Sequence, residues 1–364
     1  MRSSSEQYFE RLDHVRGVAA FLVFSWHFIH AGGVSPDYVP SFVPFSLLEE
    51  GHVGVGLFMV LSGYLFAKII GDRRISYSSF YWNRFLRLAP LLTVVLSLTF
   101  LMQWLGGTRL ADIGSTAVRG FILPEWPNGA WSVAVEMHFY LIMPLLILCA
   151  VKRPFVLITL TIVPITLRTL FYLDEADIRN IASYTIIGRA DQFIFGMAAA
   201  VLFRDSRPRH SSFWLAALVG MLLLYGFNLM GGYYGTMGSP IWIIEPTVEG
   251  AAFALVIALY DRSRIVLPRR MSRALAATGL ASFSIYLWHL LFARQLATLI
   301  DAHLIDMSNF LSAALISSLA FVAFVPIGLV SYRTIELPFL QYRRRYIRED
   351  LSAPHLRTAV AKAA

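Results

Sequence analysis

The sequence predicts an all-α, polytopic transmembrane helical bundle of about ten spans, with both termini in the cytoplasm. Three observations predict it. Of the 364 residues, 57% are hydrophobic and 15% are charged, against roughly 25% charged in a soluble domain. The apolar residues gather in runs near the length of about 20 that crosses a hydrocarbon core of roughly 30 Å. The basic residues crowd onto alternate loops and leave the others nearly bare.

In chain order the apolar runs occupy approximately 12–32, 52–71, 85–105, 130–150, 154–173, 185–203, 212–230, 241–260, 275–300 and 308–332. Pro154 and Pro164 interrupt the fifth run, which also contains Arg168. One set of loops carries Arg73, Arg74, Arg84 and Arg87, then Lys152 and Arg153, then Arg204, Arg207 and Arg209, then Arg262, Arg264, Arg269, Arg270 and Arg273. The segment after residue 340 adds Arg343, Arg344, Arg345 and Arg348. The opposite set holds Arg109, Arg119 and Arg179 against six carboxylates, Glu49, Glu50, Asp174, Glu175, Asp301 and Asp306. Basic loops stay in the cytoplasm, and an even number of spans returns both ends there. The net charge of +8 is thereby assigned to membrane orientation, and no nucleic-acid partner is expected. No A-x-A-like cleavage site follows the polar start, so the sequence predicts no removable signal peptide. Cys149 is the single cysteine and excludes an intrachain disulfide. The longest outer loop, about 106–129, is too short to fold alone. The expected organisation is a transmembrane domain over 1–340 and a basic cytoplasmic tail over 341–364.

Ionisable side chains inside such runs are costly and usually face the bundle interior. The first run contains RLDHVRGVAAFLVFSWHFIH, in which Arg16 and His27 are eleven residues apart. On a helix that spacing leaves them about 20° from alignment and roughly 16 Å apart along the axis. They therefore share a face, and Asp13 falls close to the same stripe. Arg84 and Arg87 are three residues apart at the start of the third run. Two guanidiniums so placed suit phosphate, though lipid headgroups would satisfy them as well. Glu136 opens the fourth run at roughly 9 Å below the outer surface, a depth comparable with His27, which makes a histidine its expected partner. Arg189 and Asp191 sit in the outer half of the sixth run. Ser62 and Tyr64 lie near mid-membrane in the second, and Tyr286 and His289 near mid-membrane in the ninth. Each alone reads as helix packing; their common depth suggests one shared polar cavity. Trp126, Tyr233, Tyr234 and Trp242 on the outer side are candidates for stacking on sugars.

These pieces, taken in order, resemble the integral-membrane acyltransferase 3 family over about residues 10–340. The family's Arg-x10-His spacing falls on Arg16 and His27, and its RFLR element on Arg84 and Arg87. Its Trp-Ser-x-x-x-Glu element falls on Trp131, Ser132 and Glu136. GVGLFMVLSGYLF, GRADQFIFGM, FSIYLWHLL and TIELPF complete the set. His14 stands where the family usually has glycine. The chain is similar to stand-alone members, without an appended extracytoplasmic hydrolase-like domain.

The resemblance implies an O-acyltransferase of the bacterial inner membrane. It implies cytoplasmic acyl-coenzyme A, commonly acetyl, as co-substrate, and a hydroxyl of a glycan or small-molecule acceptor. Arg16, Arg84 and Arg87 would bind the donor; His27 would be the general base, oriented by Glu136. Asp13, Ser62, Tyr64, Trp131, Ser132, Arg189, Asp191, Tyr286 and His289 would line the substrate cavity. No metal is expected: His27 and His30 have a compatible spacing, but no third ligand accompanies them. Lipids are expected partners, and oligomeric state is not encoded legibly. From another class, a transporter or flippase also places charges at mid-membrane, although no inverted repeat is visible.

Overall fold

The computed structural model describes residues 8–31, 36, 39–71 and 73–348, and among these the fold is an all-α bundle. The expected outer loop at 33–51 therefore lies partly, and the tail at 349–364 entirely, outside the described residues. Fifteen helices are labelled here; the one-turn segments Ser46–Glu49 and Gly232–Gly235 and the 3-10 segments are left unlabelled. They are α1 (Glu10–Ile29), α2 (Gly54–Ile70), α3 (Tyr77–Leu105), α4 (Leu110–Ile122), α5 (Trp131–Lys152), α6 (Pro154–Thr159), α7 (Ile162–Leu173), α8 (Ile178–Tyr184), α9 (Ile186–Leu202), α10 (His210–Leu229), α11 (Glu245–Arg262), α12 (Arg269–Leu280), α13 (Ser282–His303), α14 (Phe310–Ser331) and α15 (Leu337–Leu340).

Seven helical segments are long and apolar enough to cross a membrane by length and composition, or eight if the bent pair α8 and α9 is one span. The sequence predicts ten. The two helices outside that set, α1 and α11, carry charge: Glu10, Arg11, Asp13 and Arg16 on one, Glu245, Glu249, Asp261 and Arg262 on the other. Both nevertheless pack into the bundle. Helix α1 touches α2, α12, α13 and α14, and α11 touches α2, α9 and α10. A helix surrounded by others can keep polar groups that lipid would reject.

The close pairing at the centre is α2 against α9. Gly63 meets the backbone of Phe193 and Gly196 that of Val60, so a Cβ at either position would overlap a carbonyl oxygen. Small residues let the backbones approach, which is how helices associate when lipid removes the hydrophobic drive. Helix α10 is the opposite case. Only Ala216 and Phe227 on it are buried, while Trp214, Leu215, Leu218 and Leu222 are exposed, as a lipid-facing surface requires.

Three boundaries differ from expectation. The fifth run is split at residues 160–161 into α6 and α7, near the prolines that flagged it. The ninth span begins at Ser282 rather than 275, because a separate helix, α12, precedes it. The segment after residue 340, expected as a basic cytoplasmic tail, is fastened to the bundle as far as residue 348. There Arg74 and Ile75 (β1) pair antiparallel with Arg348 and Ile347 (β2). Between α14 and α15 the chain makes a π-turn, Tyr332–Glu336, which leaves the Glu336 carboxylate fully buried.

Candidate functional site

Among the described residues, two cavities in the bundle hold most of the expected site residues. The first, of about 120 Å³, is lined by Arg16, Arg84 and Arg87 together with Ser62, Ser132, Glu136, Tyr140, Phe283 and Tyr286. The second, of about 60 Å³, is lined by Trp26, His27, His52, Trp131, Tyr184, Arg189, Tyr233 and Tyr286. Tyr286 and Val55 line both. Helix α1 runs past the pair, with Arg16 at the first and His27 at the second. The same-face spacing read from the sequence therefore separates two chambers rather than the ends of one.

The chemistry of the second chamber turns on the tautomer of His27. Its Nδ1 lies 2.8 Å from the Val23 carbonyl and 3.2 Å from Nε2 of His289. The Nδ1 of His289 in turn donates to the Tyr286 carbonyl. A carbonyl only accepts, so each neutral ring keeps its proton on Nδ1. His289 Nε2 is then an acceptor for the His27 proton, and His27 Nε2 keeps a free lone pair. His289 is buried behind His27 and lines neither chamber. The sequence predicts Glu136 as the partner of His27; the partner is His289.

Glu136 belongs to the first chamber. Ser62 donates to its Oε1 at 3.0 Å, and the Tyr140 hydroxyl donates to the same oxygen. The difference arises because depth alone does not fix azimuth: Glu136 is bonded by Ser62 on α2 and by Tyr140 on its own helix. Ser132 donates to the Tyr286 hydroxyl at 2.7 Å, and that hydroxyl donates to the Gly129 carbonyl at 3.0 Å. The aromatic side chain between the chambers is thus held at its tip.

The arginines are not equivalent. Arg16 pairs with Asp13, and Arg87 pairs with Glu336 at 2.5 Å. Arg84 has no ion pair among the described residues; its guanidinium lies over the rings of Phe66, Phe80 and Tyr140, 5.0 to 5.9 Å from their centroids. Trp131 packs edge-on against Tyr184 at 4.6 Å. Arg189 donates to the Ser183 carbonyl at 2.9 Å and faces the second chamber.

Two further expected cavity residues, Asp191 and Tyr64, line neither chamber. Asp191 and Arg168 form an ion pair at 2.7 Å with both side chains 0% exposed, and Arg168 also reaches the Gly188 carbonyl and Thr247. Tyr64 donates to Asp261 at 2.7 Å, which Lys68 also bonds. Asp13 reaches the site only through Arg16. Of the aromatic candidates, Tyr233 lines the second chamber and Tyr234 stacks on Trp26 at 6.0 Å. Trp242 is core, its Nε1 bonded to the Thr236 carbonyl, and Trp126 is bonded to the Ala117 carbonyl. His14, at the position where glycine is usual, is buried and bridges α1 to Tyr260 at 2.8 Å and Ser272 at 3.1 Å. His30 is engaged by Glu49 at 3.3 Å, and no group of three metal-ligating side chains occurs among the described residues.

Sequence reasoning missed His52 and Trp26, which face the second chamber, and Glu336, which balances Arg87. It also missed Arg294, within electrostatic reach of His27, His289 and Tyr234. Glu336 was detectable as a carboxylate at the end of an apolar run. The others lie among ordinary interfacial residues and carry no spacing signal.

A family model described as an acyltransferase domain matches residues 9–333. Peptidoglycan O-acetyltransferase OatA of Listeria monocytogenes is 26% identical over 325 residues, covering 78% of this chain and 49% of OatA. A provisionally named membrane-bound transacylase, BcsY of Komagataeibacter xylinus, is 24% identical over 300 residues, covering 76% of this chain and 71% of BcsY. The chain thus spans about half the length of OatA. No solved structure matches it.

Proposed function

The chain belongs to the acyltransferase 3 family and is a membrane acyltransferase; from that premise we propose that it carries an acyl group, commonly acetyl, from cytoplasmic acyl-coenzyme A to a hydroxyl of a cell-surface glycan. The observation that carries the reading is the pair of chambers meeting at Tyr286 and Val55. One has the arginines that suit a phosphorylated donor, and the other has the histidine that suits a hydroxyl acceptor. The name of one relative, a peptidoglycan O-acetyltransferase, favours a glycan over a small metabolite or a lipid-linked sugar.

A chamber of about 120 Å³ is too small for a nucleotide but fits part of a narrow amide-bearing arm. The donor's phosphates stay at the arginine end, and the arm runs along the polar wall of Ser62, Ser132 and Glu136. Glu136 acts there, accepting from the arm's amide N–H groups, rather than as the partner of His27. The thioester arrives beside Tyr286, within reach of the second chamber. His27 Nε2 removes the acceptor's hydroxyl proton as the oxygen attacks the thioester carbonyl. The carbon–sulfur bond breaks, the ester forms, and the thiolate takes a proton to leave as free coenzyme A. Histidine suits the step because its ordinary pKa lies near neutrality. His289 holds the imidazole in the tautomer that leaves Nε2 bare. With α1 and α11 counted as spans the chain crosses ten times; the reading places it in the inner membrane with both termini cytoplasmic, the arginines towards the cytoplasm and His27 towards the outer side.

The test is His27→Ala. Acyl esters on the envelope glycans of cells expressing it should fall by about 10² or more, while purified protein still binds acetyl-coenzyme A. Full esterification by that variant would contradict the proposal. A transporter would instead release no coenzyme A when acyl-coenzyme A and acceptor are supplied together.

A further inference from the structure

The segment after α15 is fastened to the start of α3 bond by bond. Asn83, buried in α3, donates to the Arg344 carbonyl at 2.7 Å and accepts from the Arg344 N–H at 2.8 Å. Trp82 donates from Nε1 to the Tyr342 carbonyl at 3.2 Å. Ser76 N–H donates to the Tyr346 carbonyl at 2.7 Å. Tyr346 is buried and meets Phe80 edge-on at 5.7 Å. Between the anchored residues 342 and 344, the Arg343 side chain is left half-buried, within electrostatic reach of Arg84 and Arg87.

This is an expensive arrangement without an anion. Burial, and then the like charges of Arg84 and Arg87, push the Arg343 guanidinium below its ordinary pKa, and arginine does not relieve such a cost by losing its proton. Arg87 has Glu336, but neither Arg84 nor Arg343 has an ion pair among the described residues. The Nε of both is buried with no hydrogen-bond partner. Two planar donor forks within electrostatic reach of each other, neither with an ion pair among the described residues, match phosphate oxygens.

We infer that Arg343 and Arg84 form a clamp for the phosphate groups of the donor, with the backbone of the C-terminal segment 341–348 serving to hold Arg343 in place. The inference rests on acyl-coenzyme A being the donor. The backbones of residues 342, 344 and 346 are bonded to the start of α3, the helix that carries Arg84, and Arg343 lies between those anchors.

The experiment measures acetyl-coenzyme A binding to purified full-length protein, with adenosine 3′,5′-bisphosphate as a competitor that has phosphates but no arm. Arg343→Gln should raise the Kd for acetyl-coenzyme A about tenfold or more and abolish competition by the bisphosphate. Arg343→Lys, which keeps the charge but loses the fork, should fall between, and it carries the test if the glutamine variant does not fold. Arg344→Gln, whose guanidinium lies over Trp82 at 5.3 Å, should bind as the unaltered protein does. An unchanged Kd in Arg343→Gln, or an equal loss in Arg344→Gln, would overturn the clamp. Failure of the unaltered protein to bind acetyl-coenzyme A would instead overturn the donor reading itself.

Discussion

His27 and His289 form a hydrogen-bonded pair of rings fixed by the Val23 and Tyr286 carbonyls, and the proposed chemistry depends on which nitrogen is left bare. His289→Phe keeps a ring of similar shape but removes the acceptor for the His27 Nδ1 proton. It should lower kcat for acyl transfer about tenfold, less than loss of His27, and leave the Kd for acetyl-coenzyme A unchanged. An unchanged kcat would show that Val23 alone orients the ring. Glu50, which precedes α2, is buried and accepts from Asn228 at 2.9 Å and the Tyr233 N–H at 3.1 Å. Burial dominates and raises its pKa from 4.5 to about 7. The folded state therefore binds the proton more tightly than the unfolded one. The stabilisation is fully present below pH 4.5, declines above it, and is lost as pH rises through about 7. Thermal unfolding in detergent should show Tm falling between pH 5 and 8, and Glu50→Gln should flatten that dependence. An equal slope in the variant would move the effect to another group. At this scale the sequence makes Arg16 and His27 legible, because both lie on one helix and spacing fixes their relation. The pairing of His27 with His289 is not legible, since it joins α1 to α13 and no local pattern encodes the azimuth of one helix against another.

The helices divide into those that carry chemistry and those that carry the bundle. The buried pair of Arg168 on α7 and Asp191 on α9 holds the split fifth span against the core, where no water can replace a lost partner. Removing one partner of such a pair costs about 3–5 kcal/mol. Arg168→Ala should therefore lose most of its folded yield, measured by gel filtration and thermal melting, whereas replacing both residues by leucine should cost less. If Arg168→Ala melts as the unaltered protein does, the pair is not structural. Element existence was readable from the apolar runs, and the prolines at 154 and 164 marked the break between α6 and α7. The start of the ninth span was not readable. Helix α12 reads RRMSRALAATGL, whose alanines and leucines extend the apolar run of α13 without a proline to mark the junction. Anchoring of residues 341–348 was equally hidden, because it depends on Asn83, whose side chain looks unremarkable in sequence.

For the whole molecule, charge placement and hydropathy decide different things. Basic loops predict orientation, and apolar length predicts crossings, yet α1 and α11 fail an apolar criterion while packing inside the bundle. A polytopic enzyme must keep ionisable groups at depth, so its functional helices are the ones that composition undercounts. Reporter fusions after residue 364 and in the loop between α10 and α11 should report cytoplasmic and outer positions respectively; the same side for both would contradict the ten-span topology. The central claim is that donor and acceptor approach from opposite faces and meet at Tyr286. Radiolabelled acetyl-coenzyme A added to sealed membrane vesicles tests it most directly. Inside-out vesicles, whose cytoplasmic face is outward, should incorporate label into glycan, and right-side-out vesicles and His27→Ala vesicles should not. Incorporation by sealed right-side-out vesicles at the same rate would contradict the account.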